Sequence, residues 1–217
     1  MDLVPLLQYA APVMLQATGY TLLFAVASML LGLALAAVIA LVRVLRLPLL
    51  HRAAAVYVSA MRGTPLLVQV FIIYYGLPGI GIEFSPISAG SLALTLNVAA
   101  YLSESLRGAV AGVTQGQWLA GTSLGLTRTQ TLRYVIGPQA LRSAVPSLSN
   151  SLISLIKDTS LVSVIAVTEL MLATKELIST TFQPFPLYIA AAGVYWVLSL
   201  AFEQLQRVLE RRLAFPH

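Results

Sequence analysis

Residues 112–142 read GVTQGQWLAGTSLGLTRTQTLRYVIGPQALR, a run of Gln, Thr, Ser, Gly and Arg set between two long apolar stretches. Neither flanking stretch suits water, and this segment does not suit lipid. It is the largest polar surface in the chain and therefore the place where a partner protein is expected to grip. Its internal pattern predicts a short helix, a break and a second short helix. Leu119, Ala120 and Leu124 fall at helical spacing within 117–124. Gly125 follows, at a position where a left-handed helix-ending residue favours glycine. Thr127 is an N-cap candidate for the next helix, and Pro138 is expected in or just after its last turn.

Working outward, the 217 residues are 58% hydrophobic and only 10% charged, against roughly 25% charged in soluble domains. The chain reads as an integral membrane protein of one domain. With no cysteine, disulfides, thiolate metal sites and thiol nucleophiles are excluded. The N-terminus lacks a basic n-region and carries Asp2, so a cleaved signal peptide is not expected. Five apolar runs are long enough to span, at about 13–42, 53–77, 87–111, 144–167 and 187–209, given that a bilayer core needs about 20 apolar residues. Gly19 and Gly32 in the first suggest close helix packing. In the third, Glu104 and Arg107 sit near one end at the pairing spacing i,i+3. The segment 168–186 places Leu170, Ala173, Leu177 and Ile178 on one helical face and suits a short interfacial or re-entrant helix.

Charge orients these spans. Arg43, Arg46 and Arg52 follow the first; Arg107, Arg128, Arg133 and Arg142 flank or occupy the polar segment; Arg207, Arg211 and Arg212 end the chain. The opposite loops carry Lys175 alone as a basic residue, with Asp2, Glu83, Glu169 and Glu176. Basic residues favour the cytoplasmic side, so the N-terminus is expected outside and both the polar segment and the C-terminus inside.

Two polar clusters fall inside predicted spans: Arg62-Gly63-Thr64-Pro65 and Lys157-Asp158-Thr159-Ser160. A charge at the bilayer centre costs about 2.5–3.5 kcal/mol on insertion scales, so it is seldom retained for stability alone. Two readings stand. Arg62 and Asp158, or Lys157 and Asp158, form a buried pair that fixes packing; or the two clusters line a cavity near the midplane that holds a small zwitterion. In the second, Arg62 takes a carboxylate through its planar fork, Asp158 accepts from an ammonium, and Thr64, Thr159 and Ser160 complete the hydrogen bonds. Pro65 frees backbone groups, which are tolerated at membrane depth where they line a cavity. No catalytic residue or metal site is assigned. The two histidines, His51 and His217, are not near any metal-spaced cluster, and neither Lys157 nor Lys175 follows a glycine, so no phosphate-binding loop of the Walker type exists.

Four stretches resemble the permease subunits of ATP-binding-cassette importers for polar amino acids, the histidine/glutamate/glutamine/arginine/opine family: MRGTPLLVQVFIIYYGLP (61–78), AYLSESLRGAV (100–110), GQWLAGTSLGLTRTQTLRYVIGPQALR (116–142) and LIKDTSLVSVIAVTEL (155–170). The resemblance implies an all-α membrane protein with the MetI-like type I permease fold, a bacterial cytoplasmic (inner) membrane location, and 112–142 as the coupling loop. In that family a glutamate-alanine-alanine motif followed by a glycine docks into a separate ATPase. Gly125 occupies the glycine position, but Leu119, Ala120 and Gly121 stand where the motif has its glutamate and two alanines. The coupling residues implied are Gln117, Leu119, Ala120, Gly121, Ser123, Leu124 and Gly125; the substrate residues implied are Arg62, Gly63, Thr64, Lys157, Asp158, Thr159, Ser160 and Leu161. The partners implied are an ATPase subunit that binds the ATP and Mg, a second permease chain (identical or homologous), and an extracytoplasmic substrate-binding protein. No cofactor is expected in this chain, and nucleic acid is not an expected partner. Asp158 as the one carboxylate at mid-depth tilts the expected cargo toward a neutral or acidic polar amino acid such as glutamine or glutamate. The competing readings are an ATP-independent secondary transporter or channel subunit, favoured by the intramembrane charges and the interrupted second span, and a structural membrane subunit in which Arg62 and Asp158 merely pack.

Overall fold

The computed structural model describes residues 3–213, so Asp2 and His217 lie outside the described residues. The chain is all-helical. Helix α1 is Leu3–Val44, and its buried residues recur every three or four positions: Thr18, Thr21, Ala25, Ser28, Gly32, Ala36 and Ile39. Small side chains on that seam let α1 lie close along α4 (Pro86–Gly112), the most extensive helix contact in the structure. A Cβ added at Gly32 would stand 2.4 Å from Val98 Cγ1, so any larger residue there must push Val98 aside. The main core grows around this seam from Ala25, Ala36, Leu94, Val98, Leu102 and Ile156. Helix α9 is Pro184–Leu213, and its outer face exposes Ile189, Trp196 and Val197, as α1 exposes Leu15, Leu23 and Leu30. Apolar side chains standing outward along two long helices are the lipid-facing wall of a membrane protein.

The second predicted span is not one straight helix. Helix α2 (Leu50–Gly63) and α3 (Leu66–Phe71, extended by a π turn and a 3₁₀ turn to Ile80) meet at 108°. Pro65 has no N–H to give to a continuous helix, and Thr64 turns extended at φ −121°, ψ 148°. Two helices, Leu3–Val44 and Pro184–Arg212, are by themselves long and apolar enough to cross a membrane, and the bent pair is a third if it counts as one crossing. Helix α4 and helix α7 (Gly137–Asp158) are long enough but carry polar faces.

The second correction concerns Pro138. It does not follow the end of the polar segment's second helix. Helix α6 (Arg128–Thr131), a π turn (Leu132–Ile136) and α7 (Gly137–Asp158) run on without a break, with α5 (Gln115–Ser123) preceding them. Pro138 lies in the first turn of α7, and the widened π turn before it gives its ring room against the preceding carbonyls. The third correction concerns Asp158, which is the last residue of α7 rather than mid-helix, since a 3₁₀ segment, Thr159–Ile165, takes over there. Helix α8 (Leu170–Thr181) buries Leu170, Ala173 and Leu177 as expected, with Ile178 packed beside them. Its first N–H groups are met by Thr21 Oγ1, which accepts from Leu170 N at 3.1 Å, and by the buried Glu169 carboxylate, which accepts from Leu172 N at 2.8 Å and from Tyr195 Oη at 2.8 Å.

Candidate functional site

The breaks after α2 and at the end of α7 open onto one polar cavity of about 680 Å³. It is lined by Arg62, Thr64 and Pro65 from the bend, by Asn97, Tyr101, Glu104 and Ser105 from α4, and by Ser147, Asn150, Ser151, Ser154 and Asp158 from α7. Both helical sets keep helical periodicity: positions 97, 101, 104 and 105 share a face of α4, and 147, 150, 151, 154 and 158 share a face of α7. Ser105 Oγ and Ser147 Oγ are 2.6 Å apart and tie the two walls together.

The bend is held by a clamp. Gln69 Nε2 donates to Met61 O at 2.9 Å, to Thr64 Oγ1 at 2.9 Å and to Thr64 O at 3.2 Å. Asn97 Nδ2 donates to Gln69 Oε1 at 3.0 Å and to Met61 O at 3.3 Å. Carbonyls freed by Pro65 are thus satisfied by amides on α3 and α4, which lets a broken backbone persist away from water.

Electrostatically, Glu104 is the hub. It pairs with Arg43, with Arg107 at 2.9 Å, and more loosely with Arg62 at 3.9 Å. One carboxylate among three guanidiniums leaves a local excess of positive charge. Arg62 lies over the Tyr101 ring at 5.3 Å with 44% of its side chain exposed, so its fork faces the cavity while Glu104 is 19% exposed. Asp158 makes no salt bridge among the described residues. The cavity therefore offers an anion-binding fork and an uncommitted carboxylate from different elements, with hydroxyls and amides between them.

The structure brings Arg62, Thr64 and Asp158 of the expected substrate residues to this cavity. Gly63, Lys157, Ser160 and Leu161 are not on its lining, and Thr159 is fully buried with its hydroxyl donating to Ile156 O at 2.7 Å. Neither expected packing pair forms: the ion-pair partner of Arg62 is Glu104 rather than Asp158, and Lys157 does not bridge Asp158. Glu104, set apart in the sequence as a residue near a span end, belongs to the cavity instead. The polar stripe on α7 was readable as Ser, Asn, Ser and Asp at helical spacing.

The polar segment folds as its local signals require. Gly125 is left-handed at φ +78°, and α5 ends with Leu126 N donating to Gly121 O at 3.1 Å and Gly125 N to Thr122 O at 2.9 Å. Thr127 caps α6 in a reciprocal box with Gln130: Gln130 N donates to Thr127 Oγ1 at 3.3 Å and Thr127 N to Gln130 Oε1 at 2.8 Å. Gly121 is buried against Thr131; a Cβ there would stand 2.5 Å from Thr131 Cγ2. Leu119 and Leu124 are 66% and 79% exposed, so the segment presents apolar side chains outward. Ala120 and Ser123 are exposed as well, and Gln117 Oε1 accepts from Gln139 Nε2 at 3.2 Å.

Comparison with known proteins gives a consistent picture. The family model for the binding-protein-dependent transport system inner membrane component matches residues 28–215. A probable amino-acid ABC transporter permease protein, YckA of Bacillus subtilis (strain 168), is 42% identical over 94% of this chain and 90% of its own length. The L-cystine transport system permease protein TcyB of the same organism is 43% identical over 93% of this chain and 87% of its own. A solved amino acid ABC transporter with histidines superposes with a TM-score of 0.92 at 34% identity, covering 98% of this chain and 99% of that one.

Proposed function

The chain belongs to the family of binding-protein-dependent transport system inner membrane components, and from that premise we propose that it is the membrane-spanning permease subunit of an ATP-driven amino-acid importer. It forms the translocation pathway for a polar amino acid, and the observation that carries this reading is the cavity between the bend at Pro65 and the end of α7. Arg62 takes the substrate carboxylate, Asp158 the ammonium, and Thr64 with the α7 hydroxyls the remaining hydrogen bonds. Lys157, Ser160 and Leu161, with Gly63 and Thr159, shape the two breaks rather than touch the cargo. Glu104 is already committed to Arg43 and Arg107, so Asp158 remains the carboxylate available to a ligand; this favours a neutral or acidic side chain on the cargo over a cationic one.

The proposal extends to topology and assembly. The whole chain is one permease domain with five crossings: α1, the bent α2–α3, α4, α7 with its 3₁₀ continuation, and α9. The basic bias supports an outside N-terminus and a cytoplasmic C-terminus in a bacterial inner membrane. Residues 112–142 lie inside as the coupling loop, with α5 docked in a groove of a separate ATPase that binds and hydrolyses ATP with Mg. A second permease chain completes the pathway, and an extracytoplasmic binding protein delivers the amino acid. With Leu119 at the motif glutamate position, the ATPase groove is met by an apolar side chain.

Uptake by the reconstituted complex tests the site. Arg62→Ala and Asp158→Asn are expected to abolish amino-acid-stimulated ATP hydrolysis while the complex still assembles. Transport at wild-type rates in both variants would show that the cavity is not the substrate site.

A further inference from the structure

We propose that a second cavity, between the end of α1, the start of α2 and the coupling helix α5, binds the phosphate of an anionic phospholipid headgroup from the cytoplasmic leaflet. This rests on the membrane orientation proposed above. The cavity is about 780 Å³, and Arg43, Arg46, His51, Arg107 and Arg128 all line it, with no carboxylate among its lining residues. Glu104, the carboxylate on Arg43 and Arg107, is also shared with Arg62, so it offsets a fraction of this charge. Arg46 and Arg128 form no salt bridge among the described residues. Arg43 Nε and His51 Nδ1 are buried with no hydrogen-bond partner. Four guanidiniums gathered on one cavity, two of them in no ion pair among the described residues, are arranged for an anion that the protein itself does not supply.

The position selects a membrane lipid. Arg43 closes the last turn of the long apolar helix α1, where a spanning helix reaches the headgroups. The connection to α2 holds Arg46 and Leu49 at φ +54° and +64°, left-handed values that side chains with a Cβ adopt only under constraint. Leu47, Leu49 and Leu50 stand exposed on that connection beside the arginines. Apolar side chains next to a basic cluster fit the boundary between acyl chains and headgroups. Guanidinium forks match phosphate oxygens in pairs. Trp118, Leu119 and Thr122 of α5 line another wall, so a bound headgroup touches the helix that we assign to ATPase coupling.

The test uses the complete complex in nanodiscs of phosphatidylcholine alone, or of three parts phosphatidylcholine to one part phosphatidylglycerol. Retained lipid is read by native mass spectrometry, and amino-acid-stimulated ATP hydrolysis is read on the same samples. Wild type is expected to retain phosphatidylglycerol over phosphatidylcholine. Arg46→Ala with Arg128→Ala is expected to lower that preference by about thirtyfold, or about fivefold per arginine. Arg133→Ala, whose guanidinium lies over Tyr134 outside this cavity, is expected to leave it unchanged. The proposal is overturned if wild type shows no preference, if Arg133→Ala loses as much as the double variant, or if inorganic phosphate alone accounts for the bound anion. It is also overturned if adding the ATPase to the permease expels the lipid, since an ATPase carboxylate then fills the cavity. Stimulated hydrolysis in phosphatidylcholine without any lipid preference sinks this inference alone; no stimulation in either lipid mixture sinks the importer reading instead.

Discussion

Gly121→Ala is the substitution whose outcome the structure constrains most tightly. The added Cβ would lie 2.5 Å from Thr131 Cγ2, 2.8 Å from Thr131 Oγ1 and 3.1 Å from Thr131 Cβ. Carbon atoms prefer about 3.5–4.0 Å, so α5 must move about 1 Å from α6 or Thr131 must turn away. Thr131 is fully buried, and turning it breaks the hydrogen bond from its hydroxyl to Thr127 O at 3.0 Å. Overpacking of this kind costs about 1–3 kcal/mol, and the helix-propensity gain from glycine to alanine returns about 1 kcal/mol. With a fully buried neighbour about 1 Å too close, the overpacking cost falls in the upper half of that range, about 2–3 kcal/mol, so the net penalty is about 1–2 kcal/mol; α5 escapes it by leaving its docking position, and ATPase affinity is expected to fall roughly five- to thirtyfold. Thr131→Ala removes both short contacts and leaves only the one at 3.1 Å. The double variant is therefore expected to recover to within about threefold of wild type, a coupling of about 1–2 kcal/mol between the two positions. Titration of the purified ATPase onto nanodisc-embedded permease measures all four states. Wild-type affinity in Gly121→Ala, or no rescue by Thr131→Ala, would refute the reasoning that this contact sets the place of the coupling helix.

Three further outcomes follow from the same geometry. Glu104→Gln leaves Arg43, Arg107 and Arg62 without their shared carboxylate; at the 19% exposure of Glu104 the loss is about 2 kcal/mol, read as lowered thermal stability of the complex together with reduced uptake. Gln69→Leu removes the side-chain donor to Thr64 O and the shorter of the two donors to Met61 O, leaving Asn97 Nδ2 there at 3.3 Å, so amino-acid-stimulated ATP hydrolysis should fall about tenfold while expression is retained. Gly32→Leu drives a side chain into Val98 and should cost about 1–3 kcal/mol or more in a detergent thermal-shift assay, whereas Gly19→Ala, with no atom within 4 Å of its added Cβ, should be neutral or stabilising by up to about 1 kcal/mol.

Much of the fold was legible because its signals are local. Gly125 and Thr127 announce a helix end and a helix start within three residues, and both serve as such. Helix α8 showed its buried face through Leu170, Ala173 and Leu177. Pro138 misled because proline is at home in the first turn of a helix as well as beyond the last, and periodicity alone does not separate the two. The break at Pro65 was legible from the proline, but its 108° angle was not, because the apolar run continues beyond Pro65 and hydropathy reads through a corner that backbone geometry does not. At the candidate site, Arg62 and Asp158 stood out as charges within apolar runs. Glu104 did not, because its decisive partner Arg43 is 61 residues away and the contact is made by α1 packing on α4. Gln69 and Asn97 were missed for the same reason: their value lies in backbone groups that only the bend sets free.

The measurement that bears most directly on the account uses the absence of cysteine from the chain. Leu124→Cys places a single thiol at a position 79% exposed on the polar segment. The account predicts labelling by a membrane-impermeant thiol reagent in inverted vesicles but not in right-side-out ones, and protection when the ATPase is added. Labelling from the outer side, or labelling that the ATPase leaves unchanged, would contradict the claim that residues 112–142 are the cytoplasmic grip of an ATP-driven partner.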